Sequence, residues 1–162
     1  MTYSTRLFCL LSLLLAAALF GFFYAWVCST MWGLDAADPR IAIAAMQAMN
    51  ASGRNAVFAP AFFGTPVVLL ITAGLLAHNR QRSAALWFSA AALLVISLSF
   101  ILTMGVNVPM NEALGTVKVP KDLAEAQVIW DAYSPTWQVW NQIRTGATGL
   151  AVLCIGIGLT RL

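Results

Sequence analysis

The sequence predicts an all-α integral membrane protein, a four-helix bundle with an additional interfacial or re-entrant helix on the outer side. Of its 162 residues, 60% are hydrophobic and only 9% are charged, against about 25% charged residues in a soluble domain. Four long stretches carry almost no charge, and each exceeds the roughly 20 helical residues that cross a hydrocarbon core of ~30 Å. Their apolar runs are continuous rather than alternating, which favours helices over the strands of a lipid-facing barrel.

The composition excludes a soluble globular protein, a disordered tail and a nucleic-acid-binding module. The formal net charge of +3 comes from nine Lys and Arg, which form no cluster that would follow a phosphate backbone. We therefore expect no nucleic-acid partner. A mean hydropathy of +0.81 indicates that the lipid bilayer is the main partner of the chain.

The charged residues set the limits of one transmembrane domain over residues 1–162. The predicted spans are 7–32, 56–77, 84–105 and 136–160. The inner connection is short, whereas the outer connections, 33–55 and 106–135, are long, which is typical of functional or mobile segments. The chain begins like a cleavable signal peptide, but its apolar run continues through Trp26 and Val27, so we expect a retained helix.

The distribution of Lys and Arg predicts that both termini are cytoplasmic. We expect the membrane to be a bacterial cytoplasmic membrane. In that orientation the cytoplasmic side carries four arginines and no acidic residue: Arg6, Arg80, Arg82 and Arg161. All six carboxylates then lie on the outer side. The basic residues that accompany them are Arg40, Arg54, Lys118, Lys121 and Arg144.

The first outer connection is predicted to contain its own helix. Asp38 is a good N-cap, Pro39 suits the first helical position, and residues 41–49 are almost wholly apolar. Gly53 lies where the helix should end. Because so apolar a helix is unstable in water, we expect it at the membrane interface or dipping toward the bundle. Three polar residues share one side of it: Arg40, Gln47 and Asn50.

The cysteine and histidine content limits the possible cofactors. Cys9, Cys28 and Cys154 form no C-x-x-C pair, so we expect inert thiols rather than a disulfide relay. His78 is the only histidine, which excludes bis-histidine haem and multi-histidine metal sites. We expect neither a metal nor another cofactor.

The fourth span carries the clearest polar signal. Trp137, Trp140, Asn141, Arg144 and Thr148 form one stripe at helical spacing. Arg144 lies about 12 Å along the helix from the start of the span. A guanidinium at that depth costs ~2.5 kcal/mol or more in lipid, so it should face inward and find acceptors. The alternative is an outward snorkel, with Trp137 and Trp140 as interfacial belt residues.

The end of the third span supplies candidate partners for this cation. Asn107 and Asn111 are four residues apart, with a proline between them that should disturb the helix. A broken helix end at a cavity presents free backbone groups and amides. Glu112 can pair with Arg144 or Arg40. The alternative is a structural helix terminus.

Aromatic side chains lie at the same predicted level of the membrane. Tyr24 and Trp26 end the first span, and Phe63 lies in the second. Such residues most often belong to an interfacial belt or to packing contacts. Their coincidence with the polar groups nevertheless predicts an outward-facing polar-aromatic pocket.

Three stretches of sequence occur together across nearly the whole chain. The first is Phe23-Tyr24-Ala25-Trp26-Val27, with Gly33-Leu34 and Asp38-Pro39-Arg40. The second is Ala45-Met46-Gln47-Ala48-Met49-Asn50. The third is Asn107-Val108-Pro109-Met110-Asn111, followed by Trp137-x-x-Trp140-Asn141-x-x-Arg144. This combination resembles the anthrone oxygenase-like family of four-helix membrane proteins.

The resemblance implies a site that oxidises an anthrone-like molecule with O₂ and without a known metal or flavin. Such a site needs a base, donors for an enolate oxygen and a flat apolar slot. Glu112, Asp35 and Asp38 are the alternatives for the base. The candidate catalytic residues are Glu112, Arg144 and Asn111. The candidate substrate-binding residues are Tyr24, Trp26, Arg40, Gln47, Asn50, Asn107, Trp137, Trp140 and Asn141.

Three functions follow as hypotheses. The first is cofactor-independent oxidation of a small aromatic, phenolic or quinone-like molecule. The second is a non-catalytic subunit that binds a lipid, a quinone, a membrane partner or a second copy of itself. The third, a transporter or channel, is least favoured because four helices form a small unit and no charged residue interrupts the first three spans.

Overall fold

The computed structural model describes residues 2–53 and 55–162, so Arg54, counted above among the outer charges, lies outside the described residues. The described residues form five helical runs and no strand. Four are long and apolar enough to cross a membrane: α1 (Tyr3–Asp35), α3 (Phe58–His78), α4 (Arg82–Thr116) and α5 (Leu123–Leu159). The predicted all-α fold with four spans is therefore confirmed.

The four spanning helices pack in a ring. Helix α1 contacts α3 and α5, and α4 contacts the same two helices from the other side. Ser12 and Thr72 join α1 to α3 through a buried hydroxyl–hydroxyl hydrogen bond of 2.8 Å. Pairing these hydroxyls matters because an unpaired polar group is costly in an apolar interior.

The α3–α4 connection is a tight turn that fixes one end of the bundle, here called the inner end. Asn79 donates through Nδ2 to Leu75 O at 2.7 Å and to Thr5 Oγ1 at 3.1 Å. The second bond ties the start of α1 to this turn. Arg80 takes a positive φ of 59°, which lets the chain reverse direction within three residues.

The opposite, outer end carries the short helix α2 (Pro39–Ser52). Asp38 caps it by accepting a hydrogen bond from Arg40 N at 2.9 Å, with Pro39 at the start, as the sequence predicts. Ile43 and Met46 are fully buried, because α2 lies against α5 and the end of α4. The apolar face of α2 thus closes the outer end of the bundle.

The buried apolar residues form two separate cores. The inner core joins all four spanning helices, and its largest members include Leu19, Leu69, Phe88 and Ile155. The outer core joins α2 to the outer parts of α1, α4 and α5, and includes Met31, Ile43, Met46, Trp130 and Trp137. The candidate site lies where the two cores meet.

Three π-helical turns interrupt the spanning helices in their outer halves. One covers Trp26–Thr30 in α1, and two cover Val95–Ile101 and Thr103–Asn107 in α4. Pro109 follows the last of these. A proline normally removes one i→i−4 backbone hydrogen bond from a helix. Because the π turn has already shifted these hydrogen bonds, α4 continues past Pro109 to Thr116.

The helix limits differ from those expected from charge. Most of the expected outer connection 106–135 is helical, because α4 runs to Thr116 and α5 begins at Leu123 with Asp122 as its N-cap. At 37 residues, α5 is about 55 Å long and extends beyond a hydrocarbon core of ~30 Å. Charged residues mark where a helix leaves lipid, but they do not end it.

Substitution of Gly158 tests the close contact between α4 and α5. A Cβ at Gly158 would lie 2.9 Å from two ring carbons of the fully buried Phe88, whereas one at Gly156 would meet nothing within 4 Å. We expect Gly158→Ala to lower the free energy of unfolding by about 1–3 kcal/mol. Gly156→Ala should leave it unchanged or raise it slightly. Reversible unfolding in mixed micelles measures both, and equal stabilities would contradict this packing.

Candidate functional site

A cavity of about 900 Å³ opens at the outer end of the bundle between all five helices. Aromatic side chains from α1, α3 and α5 form part of its walls. The rings of Phe22 and Phe58 are centred 4.6 Å apart, those of Phe58 and Phe62 5.5 Å, and those of Trp26 and Trp137 5.1 Å. The volume lies toward the top of the ~300–1,000 Å³ range of small-molecule sites. The cavity therefore suits a polycyclic ring or a single ring with a substituent.

Arg144 lies in the wall of this cavity and points into the protein. It is only 4% exposed. Its Nη2 donates to Asn141 Oδ1 at 3.0 Å and its Nη1 donates to Thr103 Oγ1 at 3.2 Å. No described carboxylate bonds to it, and its buried Nε has no hydrogen-bond partner. The guanidinium thus has a fixed position, and the side chains that accept its hydrogen bonds are uncharged.

Aromatic rings on two sides hold the guanidinium between the two cores. Its carbon lies 4.6 Å from the ring centre of Phe23, which belongs to the inner core, and 5.4 Å from that of Trp137, which belongs to the outer core. Cation–π contacts of this kind are worth about 2 kcal/mol when desolvated. They offset only part of the cost of burying a charge.

Asn141 fixes the orientation of Arg144. Its Oδ1 accepts from the guanidinium, and its Nδ2 donates to the carbonyl of Phe23 at 3.1 Å. That carbonyl lies just before the π-helical turn of α1, where the pattern of backbone hydrogen bonds is shifted. Its oxygen can therefore accept a hydrogen bond from a side chain. Both ends of the Asn141 amide are therefore used within the protein, and its role is to position Arg144.

In Asn111, unlike Asn141, hydrogen bonds to the described residues use only the oxygen of the side-chain amide. Its Oδ1 accepts from Trp137 Nε1 at 2.9 Å and from Tyr133 Oη at 2.8 Å. An indole N–H can only donate, so the amide oxygen must be the atom that faces Trp137. This leaves the Nδ2 amino group of Asn111 as a donor in the cavity wall. Glu112, the next residue, lines the same cavity.

Helix α2 contributes two amides to the cavity. Gln47 donates through Nε2 to the carbonyls of Leu114 and Val117, each at 2.8 Å, and so fastens α2 to the end of α4. Asn50 also lines the cavity, and its buried Nδ2 has no hydrogen-bond partner. A buried donor left without an acceptor costs about 1–3 kcal/mol, so this position favours an oxygen-bearing ligand.

The structure brings seven of the predicted site residues into the cavity wall besides Arg144 and Glu112. They are Trp26, Gln47, Asn50, Asn111, Trp137, Asn141 and the slot residue Phe63. Arg144 bonds to uncharged side chains and Arg40 pairs with Asp38, so the expected pairing of Glu112 with either arginine stays a prediction.

Four predicted binding residues lie outside the cavity lining. Tyr24 is half-exposed and stacks on Phe20 at 5.5 Å. Trp140 is half-buried on the neighbouring face of α5. Asn107 is fully buried, and both polar atoms of its side chain lack a partner.

The fourth, Arg40, acts at the surface. Its guanidinium bonds to Asp38 and to the carbonyl of Lys121 at 3.0 Å. Hydrogen bonds from the Arg40 side chain and backbone lower the pKa of Asp38 to about 2. Asp38 is therefore a charged helix cap at neutral pH rather than a base.

The remaining candidate base, Asp35, ties α1 to α5. Its carboxylate accepts from Trp130 Nε1 at 2.9 Å, Ser134 Oγ at 2.7 Å and Gln138 Nε2 at 2.8 Å. These three hydrogen bonds give Asp35 a structural role in joining α1 to α5. Of the three predicted candidates for the base, Glu112 is the one that lines the cavity.

Several site residues were not predicted. Thr103 accepts from Arg144, Phe23 supplies both a ring and a carbonyl to the polar group, and Met49 joins the wall from α2. Thr103, Asn107 and Asn111 follow one another at intervals of four residues in an apolar stretch, and this spacing is the sequence signal that could have identified Thr103. The π-helical turns have no comparable sequence signal.

No group of three metal-binding side chains occurs within residues 2–53 and 55–162. The three cysteines are free thiols and lie in different places: Cys9 is buried, Cys28 is exposed and Cys154 is half-buried. None of them lines the cavity.

One family model matches the chain. It is described as anthrone oxygenase and covers residues 46–154, which include α3, α4, most of α5 and the end of α2. No curated protein and no solved structure matches the chain. The resemblance noted from the sequence motifs is thereby confirmed.

Substitution of two tryptophans tests which face of α5 forms the site. Trp137 is 3% exposed and contacts Asn111, Trp26 and Arg144, whereas Trp140 lies beside the cavity. We expect Trp137→Leu to lower the free energy of unfolding by roughly 2–4 kcal/mol. Trp140→Leu, the matched control, should lower the free energy of unfolding by well under half of that amount. Thermal unfolding in detergent would contradict this site if both variants lost the same stability.

Proposed function

The chain belongs to the anthrone oxygenase family, and we propose that it oxidises a flat, lipid-soluble phenolic or anthrone-like molecule with O₂ in the outer cavity. The observation that carries the proposal is the buried guanidinium of Arg144, which lines a cavity rich in aromatic rings and donates to uncharged side chains. A buried cation that lacks an anion favours a ligand that is, or becomes, negatively charged.

The reaction begins with removal of a proton from an acidic C–H beside the ring system. Glu112 is the base in this proposal, since it is the candidate carboxylate in the cavity wall. The resulting anion carries its charge mainly on the oxygen attached to the ring, and Arg144 donates a hydrogen bond to that oxygen. Charge that develops during the reaction is stabilised more strongly by a fixed, desolvated donor than by water.

Oxygen then reacts with the anion directly. The anion gives one electron to O₂, and the two radicals join to form a C–O bond. The resulting peroxide anion takes back the proton held by Glu112 and becomes a hydroperoxide. Loss of the second proton from that carbon breaks the O–O bond, leaves a carbonyl and releases water. One O₂ is consumed for each CH₂ converted to C=O, and the substrate itself supplies the four electrons.

Replacement of Arg144 tests the proposed oxyanion donor. In lipid nanodiscs, with the uncatalysed rate in empty discs subtracted, we expect Arg144→Leu to lower the rate of O₂ uptake with anthrone by about 100-fold or more. Arg144→Lys should retain part of the rate, because it keeps the charge but not the planar fork. Arg40→Leu, the matched control at the surface, should retain most of it.

Two outcomes would contradict the enzyme proposal. One is O₂ uptake by Arg144→Leu equal to that of the original protein. The other is no uptake above empty discs with anthrone and simple hydroquinones. Binding of these molecules without turnover would favour the alternative, a non-catalytic subunit that holds an aromatic ligand.

The orientation in the membrane is a separate proposal. The hydrogen bond between Asn79 and Thr5 places the start of α1 beside the α3–α4 turn, so Arg6, Arg80 and Arg82 share the inner end. This end contains no acidic residue, and the bias of Lys and Arg toward cytoplasmic loops assigns it to the cytoplasm. The cavity then opens on the opposite side.

Reporter fusions test this orientation. A fluorescent protein joined after Leu162 should be bright, because it folds in the cytoplasm, and a phosphatase joined there should be inactive. The same fusions placed in the 117–122 connection should give the reverse pattern. An active phosphatase at the C-terminus would contradict the assignment.

A further inference from the structure

We infer that the cavity recognises a flat ring with oxygen atoms at two opposite ends, and that Asn111 and Asn50 bind the oxygen farther from Arg144. This inference rests on the proposed function for the identity of that second oxygen, the atom that the reaction installs. It assigns the cavity a quinone-like product and gives two amides outside the proposed acid–base step a role in recognition.

The first observation is the direction of the Asn111 amide. Trp137 and Tyr133 both donate to its Oδ1, so the acceptor atom is occupied twice. The Nδ2 group is the free polar end and can only donate. A ligand atom at this point must therefore be an acceptor, such as a carbonyl or peroxide oxygen.

The second observation is the unpaired amide of Asn50. Its Nδ2 is buried and lines the same cavity, and although the Asn50 side chain lies close to the Tyr133 hydroxyl, the Nδ2 makes no hydrogen bond of good geometry. Asn50 comes from α2, whereas Asn111 comes from the end of α4, and these two helices pack together. Asn50 and Asn111 thus place donors from two helices in the outer part of one cavity. We call this part of the cavity the outer pole.

The third observation is the separation of this pole from Arg144. The guanidinium bonds to Thr103, which lies eight residues before Asn111 on α4. Eight residues rise about 12 Å along a helix, and slightly less through a π-helical turn. The opposed oxygens of a quinone ring are roughly 5 Å apart, and a hydrogen bond of ~2.9 Å at each end extends this to about 11 Å. The backbone rise between these two positions on α4 is therefore of the same order as the length of such a ligand with its two hydrogen bonds.

The arrangement also fits the order of the reaction. Glu112, the proposed base, follows Asn111 in the chain and lines the cavity with it. Proton removal and formation of the new C–O bond occur at the same carbon, opposite the existing ring oxygen. With that oxygen at Arg144, the reacting carbon lies toward Glu112, and the new oxygen meets Asn111 and Asn50.

The indole of Trp137 contacts both Arg144 and Asn111 of the outer pole. Its Nε1 bonds to Asn111, and its ring contacts the Arg144 guanidinium at 5.4 Å from the ring centre. One rigid side chain therefore sets the distance between both sets of donors. A flat ligand can lie along this indole with an oxygen at each end.

The test compares three tricyclic ligands that differ in the number of opposed oxygens. Anthraquinone has two, anthrone has one and anthracene has none. Quenching of the cavity tryptophans is titrated under argon in nanodiscs, so that no turnover occurs. We expect the original protein to bind anthraquinone about 3- to 10-fold more tightly than anthrone, the value of one added hydrogen bond, and anthracene least tightly.

Asn111→Asp is the decisive variant. It keeps an acceptor for Trp137 and Tyr133, so the fold should persist, but at pH 8 it loses the amino donor and gains a negative charge. We expect the preference for anthraquinone over anthrone to fall to one or below. Gln127→Glu makes the same chemical change at an exposed position of α5 outside the cavity, and should leave the preference intact.

The outcomes separate this inference from the proposed function. An unchanged preference in Asn111→Asp, or no preference in the original protein, overturns the inference even where anthrone drives O₂ uptake. A preference that depends on Asn111, without any O₂ uptake, supports recognition of two oxygens and overturns catalysis. Should Asn111→Asp unfold, Asn50→Leu provides the second test, with a partial loss of preference expected and an unchanged preference contradicting the inference.

Discussion

The structure depends on one buried cation at the junction of two apolar cores. Arg144 is nearly inaccessible, yet the groups that contact it are a hydroxyl, an amide and two aromatic rings, with no described carboxylate among them. Burying a guanidinium in this way is unfavourable unless its donors find acceptors. Thr103 of α4 and Asn141 of α5 supply two acceptors, and the carbonyl of Phe23 in α1 holds Asn141 in place. The cavity lies beside these groups.

Helix irregularity makes this arrangement possible. In the interior of a regular helix each carbonyl accepts a hydrogen bond from a backbone N–H of the same helix. The carbonyl of Phe23, beside a π-helical turn, accepts instead from the side chain of Asn141. The turns of α4 lie at the level of Thr103 and Asn107, which places polar side chains toward α5 in an otherwise apolar span. The deviations from ideal helix geometry thus lie beside the polar groups, where the site needs them.

The sequence predicted the fold and about half of the site, for a definite physical reason. Helical spacing places Arg144, Asn141 and Trp137 on one stripe, and all three are buried. Trp140 lies at the edge of that stripe, since ~100° per residue puts it roughly 60° from Trp137, and periodicity alone does not separate edge from centre. Contacts between helices decide such cases, and for that reason Tyr24 and the role of Asp35 could not be predicted from a single segment.

The chemistry of the cavity follows from its polar ends more than from its volume. Aromatic walls of this size accept many flat, lipid-soluble molecules with little discrimination, because dispersion and apolar burial depend on area rather than on atom type. Discrimination comes from donors that lose hydrogen bonds when a ligand offers no acceptor. Arg144 and Asn111 are such donors, and hydrogen bonds to neighbouring side chains hold each of them in place. A neutral hydrocarbon would fill the cavity and leave both donors unsatisfied, whereas a ring with two opposed oxygens satisfies the cation and the amide at once.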